Sequence, residues 1–364
     1  MKILRNYILK ELIYPFFLSL IVFTFVLVCG NILRLAEMMV TKGISAVYIL
    51  KLFLYLLPSL LDITIPMAVL SAVLIAVGRL ASDNEIIMLR ASGLNLFQII
   101  IPLLTVGIIA SLLLVILNDR ILPYSIYETR RLVKEIGIRN PTAYMEEGVF
   151  IKAFRNYVVY IHKIDKNKIQ GVRIYEPQAD RPTRTIIANR GRFFPSAAGN
   201  KIKLELYDGT SDEPDPNDPN TFYKLNFKTY RISLDLTDEL TKKAMDKKPK
   251  DMSIKELMQE INNMKAKDID HMMLVAEIYK KISRSFSAVI FVLVGVPIAL
   301  MVRRGEKTIS FGISIAVVVV YYLLLLGGEA LVIRGFVHPA IGMNMANALM
   351  LLLGIFLTFK ITRY

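Results

Sequence analysis

Few side chains in this sequence could do chemistry, and their spacing excludes most enzymatic readings. Gly305-Glu306-Lys307-Thr308 imitates the tail of a phosphate-cradling loop, but the upstream glycine is missing at the required spacing, so the stretch binds no nucleotide. His162, His271 and His338 are scattered, and the single cysteine, Cys29, lies inside an apolar run. That pattern offers no metal-ligand set and no intrachain disulfide. No nucleophile elbow or zincin motif occurs, and no cofactor is implied. If the chain does work, the energy comes from elsewhere.

What remains is charge inside or beside long apolar runs, where burial is costly. Asp62 stands between Pro58 and Pro66. The three read as hinge candidates, with Asp62 either a carboxylate lining a cavity or a cap on a broken helix. Arg34 and Glu37, three apart, share a helical face and can pair. Glu329 and Arg334 flank the end of a later apolar run, where interfacial solvation accounts for both.

A denser polar stretch, Ser82 to Gly93, separates two bilayer-length apolar blocks and so must sit in water at one membrane face. Its grammar is that of a short helix. Ser82 or Asp83 can cap it, Glu85 places negative charge in the first turn, and Gly93 is a C-terminal stop. Ile86, Ile87, Met88 and Leu89 lie between. Such a helix is either a tight connector on the headgroups or a docking helix pushed by a soluble partner.

The elements that must position these residues are mostly membrane spans. The chain is 54% hydrophobic over 364 residues, with a mean hydropathy of +0.47. Six spans emerge: Leu12 to Gly30, Tyr48 to Gly78, Leu94 to Leu117, Phe286 to Val302, Ile309 to Gly328 and Ala340 to Phe359. The first is too long for a usual signal core and lacks a small-x-small cleavage site, so it is read as an anchor. The second exceeds what about 30 Å of hydrocarbon needs at about 1.5 Å per residue, and its prolines predict bends.

Charge sets the expected orientation. Lys2, Arg5, Lys10, Arg79, Arg90, Arg303, Arg304, Lys307, Lys360 and Arg363 collect on one side, against Arg34, Lys42 and Arg334 in the short loops of the other. The positive-inside rule puts both termini and the Ser82–Gly93 helix in the cytoplasm, and residues 119–283 outside it. Residues 119–283 hold 30 Lys and Arg against 24 Asp and Glu, a net of +6; the rest hold 15 against 7, a net of +8. The basic excess thus follows the membrane part. Without a basic helix or an aromatic platform, a nucleic-acid partner is not implied.

The organisation expected is residues 1–118 with three spans, 119–283 as an external domain, and 284–364 with three more spans. The external domain has a helix-prone lead, Tyr124 to Ile138, then period-two stretches. These are Gly148–Phe154, Tyr157–His162, Ile169–Tyr175, Thr185–Phe194, Lys201–Tyr207 and Phe222–Leu236. Turn chemistry at Asp208-Gly209 and Asp212–Asn220 separates them, which predicts an antiparallel sandwich or jelly roll. Asp251-Met-Ser253-Ile-Lys-Glu256 starts a capping-box helix, and a charged helical segment then feeds the fourth span.

Three spans, an external β-domain, three spans and an S-x-x-E-x-x-x-x-x-A-S-G helix together resemble the lipopolysaccharide-export permease family of the LptF/LptG type. The residues that carry the resemblance are Leu57-Pro58, Ile65-Pro66-Met67-Ala68-x-Leu70, Gly78, and Glu85 to Gly93 with Ala91-Ser92-Gly93 intact. It covers essentially the whole chain and is strongest over residues 50–118.

The resemblance implies a polytopic α-helical inner-membrane protein with an inserted periplasmic jelly-roll-like domain. It implies pairing around a cavity with a second permease of the family, either a sister or a second copy. It also implies a cytoplasmic ABC ATPase dimer docked through residues 82–93, with Glu85, Ile86, Met88, Leu89, Arg90 and Gly93 as coupling residues. Lipopolysaccharide would leave the outer leaflet among membrane lipids and pass to periplasmic jelly-roll bridge proteins. Arg34 matches a basic position in related subunits, and its planar fork suits a lipid phosphate. Phe25, Leu33, Ile63, Tyr321 and Leu325 would form an apolar wall, with Lys42 and Arg334 as looser cation candidates. The competing reading is a secondary transporter or an unpowered scaffold. A transporter of that kind usually shows internal repeats and several buried ionisable residues. Here the halves share no motif, and Asp62 is nearly alone.

Overall fold

Inside a bilayer every backbone N–H and C=O must find a partner within its own segment, so the long apolar runs fold as helices. In the computed structural model these are α1 (Lys2–Val40), α2 (Ala46–Ser82), α3 (Glu85–Ala91), α4 (Leu96–Ile116) and α5 (Leu122–Arg139). After the sheet come α6 (Ile254–Ala266), α7 (Met272–Val302), α8 (Lys307–Ile333) and α9 (Pro339–Thr362). The structure describes residues 2–40, 43–139, 147–154, 156–165, 168–177, 183–195, 201–214, 222–235, 247–302 and 307–362. Among the described residues six helical stretches are long and apolar enough to cross a membrane. Lys42, Arg303, Arg304, Gly305, Arg363 and the 215–220 part of the acidic stretch lie outside the described residues.

The chain forms two compact units. One comprises Met1–Gly30, Leu56–Ile126 and Lys248–Tyr364; the other comprises Asn31–Tyr55 and Tyr127–Lys247.

In the first unit α2 is buried on every side from Ala68 to Val77, as expected of a helix that is apolar all round. It packs with α4 and α7 around Leu70, Val73, Leu103, Phe291, Val292 and Val294, all fully buried. At Gly107 a Cβ would lie 2.9 Å from Val292 Cγ2, so only glycine lets α4 come this close to α7. Polar side chains tie helix to helix. Ser71 Oγ donates to Ser314 Oγ at 2.6 Å, and the Thr24 and Thr64 hydroxyls bond at 3.1 Å. The α2 helix runs through Pro58 and Pro66 without a break.

Two spans differ from their expected form. The third does not end at Leu117: five residues of π-helix, Leu117–Ile121, join α4 to α5 as one continuous helix. The fourth starts earlier, because the charged stretch before Phe286 belongs to α7 itself. A turn at residues 267–271, with Asp268 at φ 53°, separates it from α6. The capping box at the α6 start forms as expected, Ser253 accepting from the Glu256 amide and Glu256 from the Ser253 amide.

The second unit has a helical part and a sheet. In the helical part Ile44, Leu52, Leu132 and Ile136 form a small core, and Tyr48 OH donates to Glu135 at 2.9 Å. The sheet is β1 (Phe150–Phe154), β2 (Tyr157–Asp165), β3 (Lys168–Glu176), β4 (Arg184–Pro195), β5 (Lys201–Pro214) and β6 (Phe222–Asp235). All are antiparallel, and spatial order equals chain order. No second sheet covers the first among the described residues. Val159, Ile161, Ile174, Ile186 and Leu206 are nevertheless fully buried, so the sheet curls over its own inner face. Among the described residues the expected sandwich or jelly roll is instead a single meander, whose curl alone encloses the apolar interior.

The curl has a visible crease. The expected turn at Asp208-Gly209 is absent; β5 runs straight through it, with Asp208 at φ 53°. Flanking pairs place Asp208 opposite Asn189, Asn189 opposite Gly171, and Gly171 (φ 63°) opposite His162. Across this row the buried positions change phase, from Ile169 to Val172 in β3 and from Ala188 to Gly191 in β4. A strand alternates with period two, so an odd spacing requires a local twist, which left-handed residues supply.

Candidate functional site

Two polar clusters interrupt the apolar packing of the first unit. One lies at the α2–α3 turn; the other surrounds Asp62, about 30 Å back along α2 at about 1.5 Å per residue.

At the α2–α3 turn neither expected cap is used, because Ser82 completes α2 and the Asp83 amide still donates to Arg79 O. Asn84 takes the N-cap in a left-handed conformation (φ 57°), which asparagine tolerates better than most residues. The other end is as expected. Gly93 (φ 87°) donates to Arg90 O at 3.0 Å and Leu94 to Leu89 O at 3.1 Å, a Schellman closure. The seven residues are thereby closed at their C-terminal end, while Asn84 makes no side-chain bond at the start. Ile86 is buried and Leu89 half-buried against the core, while Ile87, Met88 and Arg90 are exposed. The outward apolar pair is thus Ile87 and Met88; Ile86 anchors the helix.

Glu85 does not stand free. Tyr7 OH donates to its two oxygens at 2.8 and 3.1 Å, and Arg79 Nη2 lies 3.9 Å away. Arg79 also pairs with Glu11 and, at 3.5 Å, with Asp83. The start of α1, the end of α2 and the start of α3 therefore share one charge cluster. Tyr7, Glu11 and Arg79 gave no signal in sequence, since residues flanking a span are ordinarily solvated anchors.

The second cluster shows that Asp62 is not alone. It is buried, accepts from Asn118 Nδ2 at 2.7 Å, and faces Arg284 Nη1 at 3.4 Å. Pro66 has no N–H, so the carbonyl one turn before it, that of Asp62, loses its helical donor. Asn118 lies in the π turn and also donates to Leu114 O at 3.1 Å. Lys281, buried at 5% exposure, donates to Asn118 O at 3.0 Å and to Met252 O at 2.8 Å. Next to it Asp119 accepts from the Ile254 amide at 2.7 Å, at the start of α6. Lys280, likewise buried, pairs with Glu329, which is therefore not merely solvated. A cavity of about 70 Å³ is lined by Lys250, Lys280, Lys281, Arg284 and Glu277 among others. Lys280, Lys281 and Arg284 escaped sequence reading because they look like the solvated approach to a span.

The lipid-wall candidates do not form one surface. Phe25 and Leu33 are exposed on α1 and Ile63 is half-buried on α2. Tyr321 and Leu325 are buried in the core of the first unit, with Tyr321 OH donating to Asn347 Oδ1 at 3.0 Å. Arg34 is exposed and forms no ion pair with Glu37 or any other carboxylate among the described residues. Arg334 is exposed as well. Among the described residues no group of three His, Cys, Asp or Glu could hold a metal ion.

Comparison with known proteins places this geometry. An uncharacterised protein, RP871, of Rickettsia prowazekii (strain Madrid E) is 28% identical over 243 residues, which is 66% of this chain and 66% of that protein's length. The family described as lipopolysaccharide export system permease LptF/LptG matches residues 6–360. A match that runs from the base of α1 to the end of α9 concerns the whole architecture, and the chain belongs to the LptF/LptG family.

Proposed function

We propose that the chain is the membrane permease subunit of an ATP-driven lipopolysaccharide exporter in the bacterial inner membrane. The observation that carries this is α3. A helix of seven residues, closed at its C-terminal end by a Schellman turn, held at its start through Glu85 and presenting Ile87, Met88 and Arg90 outward, is built between two spans of a chain with no nucleotide motif. A connector needs no such rigidity; a surface pushed by a separate ATPase dimer does. On this reading α3 and both termini are cytoplasmic, and residues 119–283 stand in the periplasm beside jelly-roll bridge proteins. A second permease, sister or copy, completes the cavity. The buried charges near Asp62 are mostly held by one another and by backbone carbonyls, with Arg284 Nε the exception, and that pairing does not favour ion-coupled transport.

Purification of the full chain from its own membranes, with bound proteins identified, tests the reading. An ATP-binding subunit is expected at stoichiometric yield. Glu85→Ala removes the carboxylate that Tyr7 and Arg79 hold at the start of α3, and on the proposed reading it also takes away a contact to a basic residue of the ATPase, an interfacial loss that typically costs about 2–5 kcal/mol. The variant should therefore lower ATPase recovery at least tenfold, or retain it and uncouple hydrolysis from export. Normal ATP-driven export by Glu85→Ala leaves α3 a connector.

A further inference from the structure

We infer that Lys281 is a positioning residue for export: with Asn118, Asp119 and Asp62 it forms a buried clasp that ties α2 to the chain segments entering and leaving the sheet-bearing unit. This rests on the ATP-driven reading above.

The chain crosses between the two units four times, at residues 30/31, 55/56, 126/127 and 247/248. The first two crossings are interior to α1 and α2. The third follows directly from the π turn, and the fourth opens the short segment Lys248–Ser253 before α6. Lys281 holds both of these last two approaches, through Asn118 O on one and Met252 O on the other. Asp119 adds a second tie between the same two segments by accepting from the Ile254 amide. Asn118 then carries the connection onward, its side-chain amide donating to Asp62 of α2. Seventeen residues further along α2 stand Arg79 and the α3 charge cluster.

The chemistry suits a rigid link better than general packing. Lys281 has no carboxylate within ion-pair distance among the described residues; two backbone carbonyls from separate segments are its partners. Burying an ammonium in that way is expensive, and a leucine would fill the space at less cost. The π turn is a second strained choice, because π-helix is rare and recurs at functional positions. A lysine can hold two carbonyls at once, where an apolar residue could only fill the gap. A push on α3 that displaces α2 is thereby delivered to both segments that lead into the sheet.

The test uses the complete complex, purified with its ATPase, reconstituted with lipopolysaccharide in proteoliposomes. The variants are Lys281→Met, Lys281→Arg and Asn118→Leu. Hydrolysis, ATP-dependent lipid release, assembly and thermal midpoint are read for each. Lys281→Met should keep assembly and hydrolysis within about twofold while release falls at least tenfold, and Lys281→Arg should restore release to within about threefold. Asn118→Leu cuts the link to Asp62 but spares the carbonyl that Lys281 holds, and it should uncouple in the same way. Should Lys281→Met fail to assemble, Asn118→Leu decides alone. Release at the wild-type rate in either assembled variant overturns the clasp. So does loss of hydrolysis, release and thermal midpoint in parallel in both, which would mark packing only. A wild-type complex that hydrolyses ATP without releasing lipid would instead sink the exporter reading itself.

Discussion

Arg34 is an exposed guanidinium near the C-terminal end of α1 with no carboxylate partner among the described residues, although Glu37 is only three residues on. A cation left unpaired beside an apolar helix face suits a phosphorylated lipid headgroup, which its planar fork can grip with two parallel hydrogen bonds. Photo-crosslinking from position 34 should therefore capture lipopolysaccharide in cells. Arg34→Glu should reduce export about tenfold or more, and Arg34→Lys by only a few-fold. Full export by the glutamate variant without a crosslink would leave Arg34 an interfacial anchor. At this scale the sequence was legible where a charge sat against its surroundings. Asp62 stands out in an apolar run and Glu85 at the head of a short helix between two runs, and both prove to be bonded centres. Asn118, Lys281 and Arg284 were invisible because the end of a span is an ordinary place for solvated polar residues. Their burial depends on which helices pack over them, and no local pattern encodes that.

Among the elements, strands and spans were legible from their periodicities, with boundaries shifted where adjoining polar turns continued the helix. The miss at Asp208-Gly209 has a physical cause. Hairpin turns and sheet creases both need positive φ, and both recruit glycine, asparagine and aspartate. Local chemistry alone cannot separate them. Gly171 tests the crease most directly, since a Cβ there would lie 2.8 Å from His162 Cβ on a backbone at φ 63°. Gly171→Val should cost about 1–3 kcal/mol, the range for a non-glycine residue forced into such a conformation. Thermal melting followed by far-UV circular dichroism should show a lowered midpoint for the sheet. An unchanged midpoint would mean that the crease yields to a side chain without loss.

For the whole molecule, the proposed sidedness follows from the Lys and Arg asymmetry of the short loops, and single cysteines can check it. Ser92 and Asn226 are both exposed, and with Cys29 replaced by serine each can be the sole thiol. An impermeant maleimide applied from outside spheroplasts should label Asn226→Cys and spare Ser92→Cys; labelling of both would end the topology. One structural detail also sets a constraint on insertions and deletions. An α-helix turns about 100° per residue, so the extra residue of the π turn is a slip in angular phase. The buried stripe shows it: Ala110, Leu114 and Leu117 before the slip, then Asn118, Leu122 and Ser125 after it. Deleting Ile121, which is exposed, should convert the turn to regular α-helix while Leu122 and Ser125, each moved one place earlier, keep the angular positions they now hold. The buried stripe then runs on unbroken from Ala110, Leu114 and Leu117. A chain shortened by that one exposed residue should therefore still assemble, as should Ile121→Ala; poor assembly of the deletion alone would mean that the π turn itself is needed. Along this helix the π turn absorbs one residue of surplus length.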